Sequence, residues 1–163
     1  IVSSTGLELV VMGGASFTVD GKPVEFSREW TYKGLMVSGV PNLVSTFGYI
    51  NASWTLRADL TAEWVCRVLN RMRATGSSCV EPILPDYLRS MPARKWIDDF
   101  PAGYMERVMH LFPRQGDREP WINPQNYRKD RKMFQHAELE DGALQFSAPN
   151  SEKKPGQQKL SGT

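Results

Sequence analysis

The stretch Phe47–Met72, FGYINASWTLRADLTAEWVCRVLNRM, constrains the chain more than any other. Leu60, Trp64, Val65, Val68, Leu69 and Met72 recur at spacings of three and four, which gathers them on one face of a helix over about residues 53–72. Glu63, Arg67, Asn70 and Arg71 fall mainly on the other face. Asn51 or Ser53 can cap the start, and Gly76 follows the end. Small and polar residues, Gly48, Asn51, Ala52 and Ser53, stand directly in front of it. Two readings compete for that junction. It is an ordinary cap, or it keeps a helix N-terminus clear so that free backbone N–H groups and the positive dipole end can meet an anion or an electron-accepting ring. On spacing alone the cap is the simpler reading.

The N-terminal part reads as short strands. Ile1–Val2 running into Thr5–Gly6 predicts a buried strand ended by a glycine turn. Phe17–Phe26 alternates around Asp20–Gly21, a two-residue hairpin signal. Leu35, Met36 and Val37 predict another strand, ending at Gly39 with Pro41–Asn42 as the next turn. Beyond Ser78, Pro82, Pro85, Pro92, Pro101 and Pro113 cut the chain into short pieces. Helices are predicted over 103–112 and 125–135, and a last strand over 143–147. From Pro149 the sequence has almost no apolar residue and reads as a disordered tail. The class is mixed α/β: short strands, one long helix and a mostly helical extension.

Composition excludes some functions. At 163 residues the chain suits one domain with a real core. A net charge of +2 does not argue for a nucleic-acid or membrane surface. No apolar run reaches the roughly 20 residues of a membrane span. Cys66 and Cys79 give neither metal spacing nor a disulfide framework, so reduced thiols and a cytoplasmic location are expected. His110 and His136 stand in no metal or triad spacing, and MHLF places His110 on an apolar helix as a structural histidine. Pro120–Phe134 interleaves Arg128, Lys129, Arg131 and Lys132 with Trp121, Tyr127 and Phe134, as a single-strand nucleic-acid binder does. Asp130 interrupts it, and a solvated helix face is the better reading. Residue patterns alone supply no phosphate-binding glycine loop, nucleophile elbow or paired carboxylates.

The blocks IVSSTGLEL, DGKPV, YKGLMVSGVPNLVSTFGYINASWTLRADL and GYMERVMHLFPRQGDREPW together resemble one family. They are similar to the C-terminal third of a class B, Baeyer–Villiger type flavin-containing monooxygenase, in the subgroup that includes thioamide-activating enzymes. The resemblance covers residues 1–147, and Tyr32–Leu60 is its most specific part. It implies that residues 1–78 belong to the FAD-binding domain of a flavoprotein with two dinucleotide-binding domains. Residues 79–148 would then be a helical extension walling the substrate side, and 149–163 the tail. Thr5 and Gly6 would lie at the chain's return into the FAD domain, where the family carries Ala-Thr-Gly and this chain has Ser4-Thr5-Gly6. Asn51, Ala52, Ser53, Trp54 and Thr55 would meet the pyrimidine edge of the flavin ring, which is negatively charged when reduced.

The implied reaction belongs to a full-length enzyme. NADPH reduces FAD, O2 adds to give a C4a-peroxyflavin, and oxygen passes to a ketone or a sulfur-containing small molecule. Both dinucleotide-binding fingerprints would lie upstream, so these residues alone are expected to be inactive and to hold FAD and NADP weakly or not at all. Missing neighbours would also leave Leu60, Trp64 and Val68 facing water, with self-association as the expected result. The alternative is that the segments after Pro82 fold back to complete a private core. Two other functions stay open at this point: a stand-alone partner-binding module, and a nucleic-acid module centred on 127–134.

Overall fold

The computed structural model describes residues 1–2, 6, 8–98 and 102–148. Thr5 and the residues from Pro149 onward lie outside them. Among the described residues the chain forms three two-stranded antiparallel pairs and one long helix. The first pair, β1 (Thr18–Val19) and β2 (Lys22–Pro23), is the expected hairpin. Asp20 and Gly21 both have positive φ, 50° and 76°, as a tight two-residue turn demands.

The second pair, β3 (Thr31–Tyr32) and β4 (Met36–Val37), sets Thr31 opposite Val37 and Tyr32 opposite Met36. Every residue from Thr31 to Ser38 is buried. That burial is possible because the backbone finds partners beyond the hairpin. Thr31 donates to the Arg114 carbonyl at 2.8 Å and Lys33 to that of Pro120 at 2.6 Å.

Helix α1 spans Trp54–Thr75, with Ser53 at the N-cap position and Gly76 just past the end. Leu60, Trp64 and Val68 are buried as the periodicity requires, and Val65 and Met72 pack partly against the core. Leu69 does not follow the expectation: it is 55% exposed. One residue past Val68, it is rotated about 100° off the centre of the stripe.

A third pair closes the chain. β5 (Cys79–Pro82) runs antiparallel to β6 (Leu144–Ser147), with Val80 opposite Phe146 and Pro82 opposite Leu144. Between them lie α2 (Gly103–Val108), continued by a tight turn Met109–Leu111, and α3 (Tyr127–Arg131), continued by a wide turn Lys132–His136. Asn126 caps α3 by accepting from the Lys129 amide at 3.2 Å. The helical pieces fall where expected, but the stretch after residue 78 is not mostly helical. Prolines at 82, 85, 92 and 113 keep its helices short and leave irregular chain between them.

The main core joins Trp30, Tyr32 and Met36 of the second pair to Leu60, Trp64 and Val68 of α1. Val80, Trp121, Phe134 and Leu144 complete it from the later half of the chain. Tyr32 sits edge-on to Trp121 at 5.9 Å and tilted to Trp64 at 6.2 Å. Arg67 donates to the Phe134 carbonyl and, at 2.6 Å, to that of Ala137. The expectation that Leu60, Trp64 and Val68 face water is therefore overturned: residues after Pro82 fold back over them. The predicted strand at Ile1–Val2 is also absent, since both residues are exposed and pair with nothing among the described residues. A strand without a ladder partner has no reason to be buried. No helix among the described residues is long and apolar enough to cross a membrane.

Candidate functional site

Asn51, Ala52, Ser53, Trp54 and Thr55 lie together at the start of α1, all of them exposed. Ser53 occupies the cap position, yet its hydroxyl meets the Thr55 hydroxyl at 2.8 Å and bonds no backbone amide. Side-chain capping, the simpler expectation, is thus not what the junction does. The first turn also carries no carboxylate. Its backbone N–H groups keep their hydrogen-bonding capacity, and nothing in that turn neutralises the positive end of a 22-residue helix.

Trp54 lies directly over Gly48, where an added Cβ would come within 2.2 Å of the indole. The indole packs on Phe47 at 5.0 Å, and Phe47 in turn meets Trp96 edge-on at 4.8 Å. Phe47 also lines an apolar cavity of about 150 Å³, together with Leu35, Met36, Val37, Trp96 and Phe112 among others. The helix start and the cavity thus share one aromatic wall. Of the other predicted site residues, Gly6 is exposed with φ +82° and no atom within 4 Å of an added Cβ. Among the described residues no contact brings it to the helix start, and Thr5 lies outside them.

Beneath the junction sits a buried charged cluster that the sequence reading did not single out. Arg57 and Asp130 are both fully buried, with Nε and Oδ2 3.5 Å apart. The guanidinium donates to the carbonyls of Lys33 and Phe47, each at 3.4 Å, and lies between the rings of Tyr49 and Phe134. Periodicity held the clue: position 57 lies three residues before Leu60, on the same stripe. A second buried cation, Lys33, faces Asp141 at 3.3 Å, and Tyr32 donates to the same carboxylate at 2.7 Å. Buried amides complete the floor, with Gln125 accepting from the Ile50 amide at 3.2 Å and donating to Asn123 at 3.4 Å.

Desolvation governs the protonation of these groups. Burial raises the Asp130 carboxyl above the ordinary carboxylate range, against the opposing pull of the Arg57 charge. Burial lowers Arg57 against the opposing pull of Asp130. Lys33 is lowered by burial, with Asp141 opposing, and Tyr32 is raised by burial and by the Asp141 charge. The sign for Asp130 follows directly. A folded-state pKa above the unfolded one favours folding most at low pH, and that advantage disappears as pH rises through the folded value. We therefore expect Asp130→Asn to cost more stability near pH 4 than near pH 7. The difference amounts to about 1.4 kcal/mol per unit of upward shift, read from denaturant midpoints of the two proteins. An ordinary surface ion pair would give the opposite trend.

The chemistry available is that of binding and orientation. Among the described residues no cluster of His, Cys, Asp or Glu could hold a metal ion, and both cysteines are free. Trp121 and Phe134 of the basic stretch are buried, so they cannot stack on bases from this fold. His110 and His136 are exposed, against the expectation of a structural His110. An uncapped, acid-free helix start beside an aromatic wall fits a flat ring with an electron-accepting edge.

No protein-family model matches the chain, and no solved structure does. Relatives of known description do. The FAD-containing monooxygenase EthA of Mycolicibacterium smegmatis is 45% identical over 148 residues, 90% of this chain and 29% of that protein. A protein named as an FAD-binding monooxygenase, AlmA of Acinetobacter baylyi, is 39% identical over 147 residues, again 90% of this chain and 29% of that one. EthA of Mycobacterium tuberculosis is 41% identical with the same shares. The chain thus spans less than a third of the length of the relatives it matches. The family resemblance carried by Tyr32–Leu60 and the later blocks is borne out: over nine-tenths of its residues this chain is a homologue of the FAD-containing monooxygenases.

Proposed function

We propose that the chain is the C-terminal part of an FAD-dependent monooxygenase that uses NADPH and O2 to oxygenate a small ketone or a sulfur-containing molecule. Residues 1–78 would complete its FAD-binding domain, 79–148 would wall the substrate side, and 149–163 would form a tail. The observation that carries the reading is the uncapped, acid-free start of α1 in a chain homologous to FAD-containing enzymes. Bound FAD would supply the redox chemistry and the activation of oxygen. The chain's own contribution is to bind and to orient. Backbone N–H groups at Ser53, Trp54 and Thr55 would favour the flavin edge that gains negative charge, while Asn51 and Ala52 leave room for its approach. Trp54 and Phe47 would exclude water beside it. Thr5 and Gly6 would turn the chain into the flavin domain.

The test uses the full-length gene product that contains this chain. We expect a flavin absorption spectrum that NADPH bleaches, and no flavin retained by residues 1–163 alone. Ser53→Glu should leave stability unchanged or raise it by about 0.3–1 kcal/mol, because a carboxylate suits a helix N-terminus. The same charge opposes a reduced flavin, so flavin content or its reduction rate should fall at least tenfold. Full flavin content with an unchanged reduction rate would remove α1 from the cofactor site.

A further inference from the structure

We infer that Arg57 is a positioning residue for the start of α1, fixing the Phe47–Ser53 loop in the place from which it would meet a flavin. The inference rests on the monooxygenase reading only for what the loop meets, not for how the loop is held.

Three observations carry it. First, the guanidinium reaches three separate segments at once from the first turn of the helix. It donates to Phe47 in the loop and to Lys33 in the β3–β4 turn, and it faces Asp130 on α3. Only a forked cation makes such a junction from one side chain. Secondly, apart from the packing of Phe47 and the buried Tyr49, the loop has few hydrogen bonds to fix its path. Among the described residues, the only other hydrogen bond made by residues 47–52 is the one the Ile50 amide donates to Gln125. Thirdly, the pair is poorly suited to stabilising the fold. Arg57 Nε, both Asp130 oxygens and the Tyr49 hydroxyl are buried without hydrogen bonds in this structure. Burial moves both charged groups toward their neutral forms more strongly than their mutual attraction opposes it. A buried pair in which desolvation outweighs attraction is costly beside apolar residues of the same size. What it provides that apolar residues do not is a fixed direction for two carbonyls, hence a fixed path for the loop.

The test is backbone order in this chain, measured by nitrogen-15 relaxation for wild type, Arg57→Lys, Arg57→Met and the double variant Arg57→Met/Asp130→Leu. Lysine keeps a charge opposite Asp130 but lacks the fork. The double variant removes both charges and so leaves neither one buried alone, which keeps the test usable if Arg57→Met does not fold. We expect order parameters over 47–53 to fall from about 0.85 to below about 0.6 in every folded variant, with β5 and β6 unchanged. Lysine should not rescue the loop. Loss of order in β5–β6 to the same extent, or wild-type order over 47–53, would overturn the inference.

The same variants in the full-length gene product separate this inference from the function it serves. Wild type without flavin, with the loop loosened in the variants, would overturn the monooxygenase reading and leave Arg57 as assigned. Flavin retained in all, with the loop still ordered, would do the reverse.

Discussion

Trp64→Ala is expected to lower stability by about 3–5 kcal/mol, and the melting temperature by about 10 °C. The indole is fully buried where α1 meets the β3–β4 pair, with Tyr32 tilted against it at 6.2 Å. Removing a buried aromatic of about 150–250 Å² forfeits its transfer free energy and leaves a cavity that so many segments cannot jointly close. A paired variant sharpens the test. Among the described residues the Trp64 indole N–H has no hydrogen-bond partner, so Trp64→Phe removes an unsatisfied donor along with part of the ring. Its cost should stay below about 1.5 kcal/mol. Thermal melts of both variants check the pair. Equal losses would mean that the ring's volume is not what holds α1 in place.

Gly34→Ala should cost about 2–5 kcal/mol, through two separable effects. Gly34 has φ +66°, where an L side chain is strained by about 1–2 kcal/mol. A Cβ there would also fall 2.5 Å from both Arg57 Nη2 and Asn123 Oδ1. Neither atom is free to leave. Arg57 is held by Asp130 and two carbonyls, and Asn123 donates to the Trp96 carbonyl at 3.0 Å. Overpacking of that kind adds about 1–3 kcal/mol. Gly142→Ala supplies the control, because its φ is +79° and nothing lies within 4 Å of an added Cβ. It should show the strain alone. Denaturant midpoints with unchanged slopes would give both values, and equal costs at the two glycines would refute the contact with Arg57 and Asn123.

What the sequence made legible was local. The stripe Leu60–Trp64–Val68 has the period of a buried helix face, and Asp20–Gly21 has the chemistry of a tight turn; both appear as read. β5 was not legible, because Cys79–Pro82 is short and ends in proline, which usually argues against a strand. Here the proline is the last residue of a two-stranded pair, where a missing N–H is tolerated. The candidate site was half legible. Exposed residues at the helix start stand out by composition, whereas Asp130 looks like a surface charge until the fold brings it to Arg57. Asp130 seemed only to interrupt a basic run. It is in fact the one residue of Arg128–Lys132 that turns fully inward, and its partner lies on another helix. Long-range pairing of opposite charges leaves no period in a single sequence.

The cover over α1 also has a consequence for synthesis. Trp64 leaves the ribosome well before Trp121, Met133 and Phe134, the residues that close over its helix. At about 5–20 residues per second, the 70 positions from Trp64 to Phe134 take about 4–14 s to make. Throughout that interval the apolar stripe of α1 has only the part of its cover that β3 and β4 supply. The chain therefore passes through a sticky stage of its own making, and the window in which a chaperone would serve it closes only when the turn after α3 emerges.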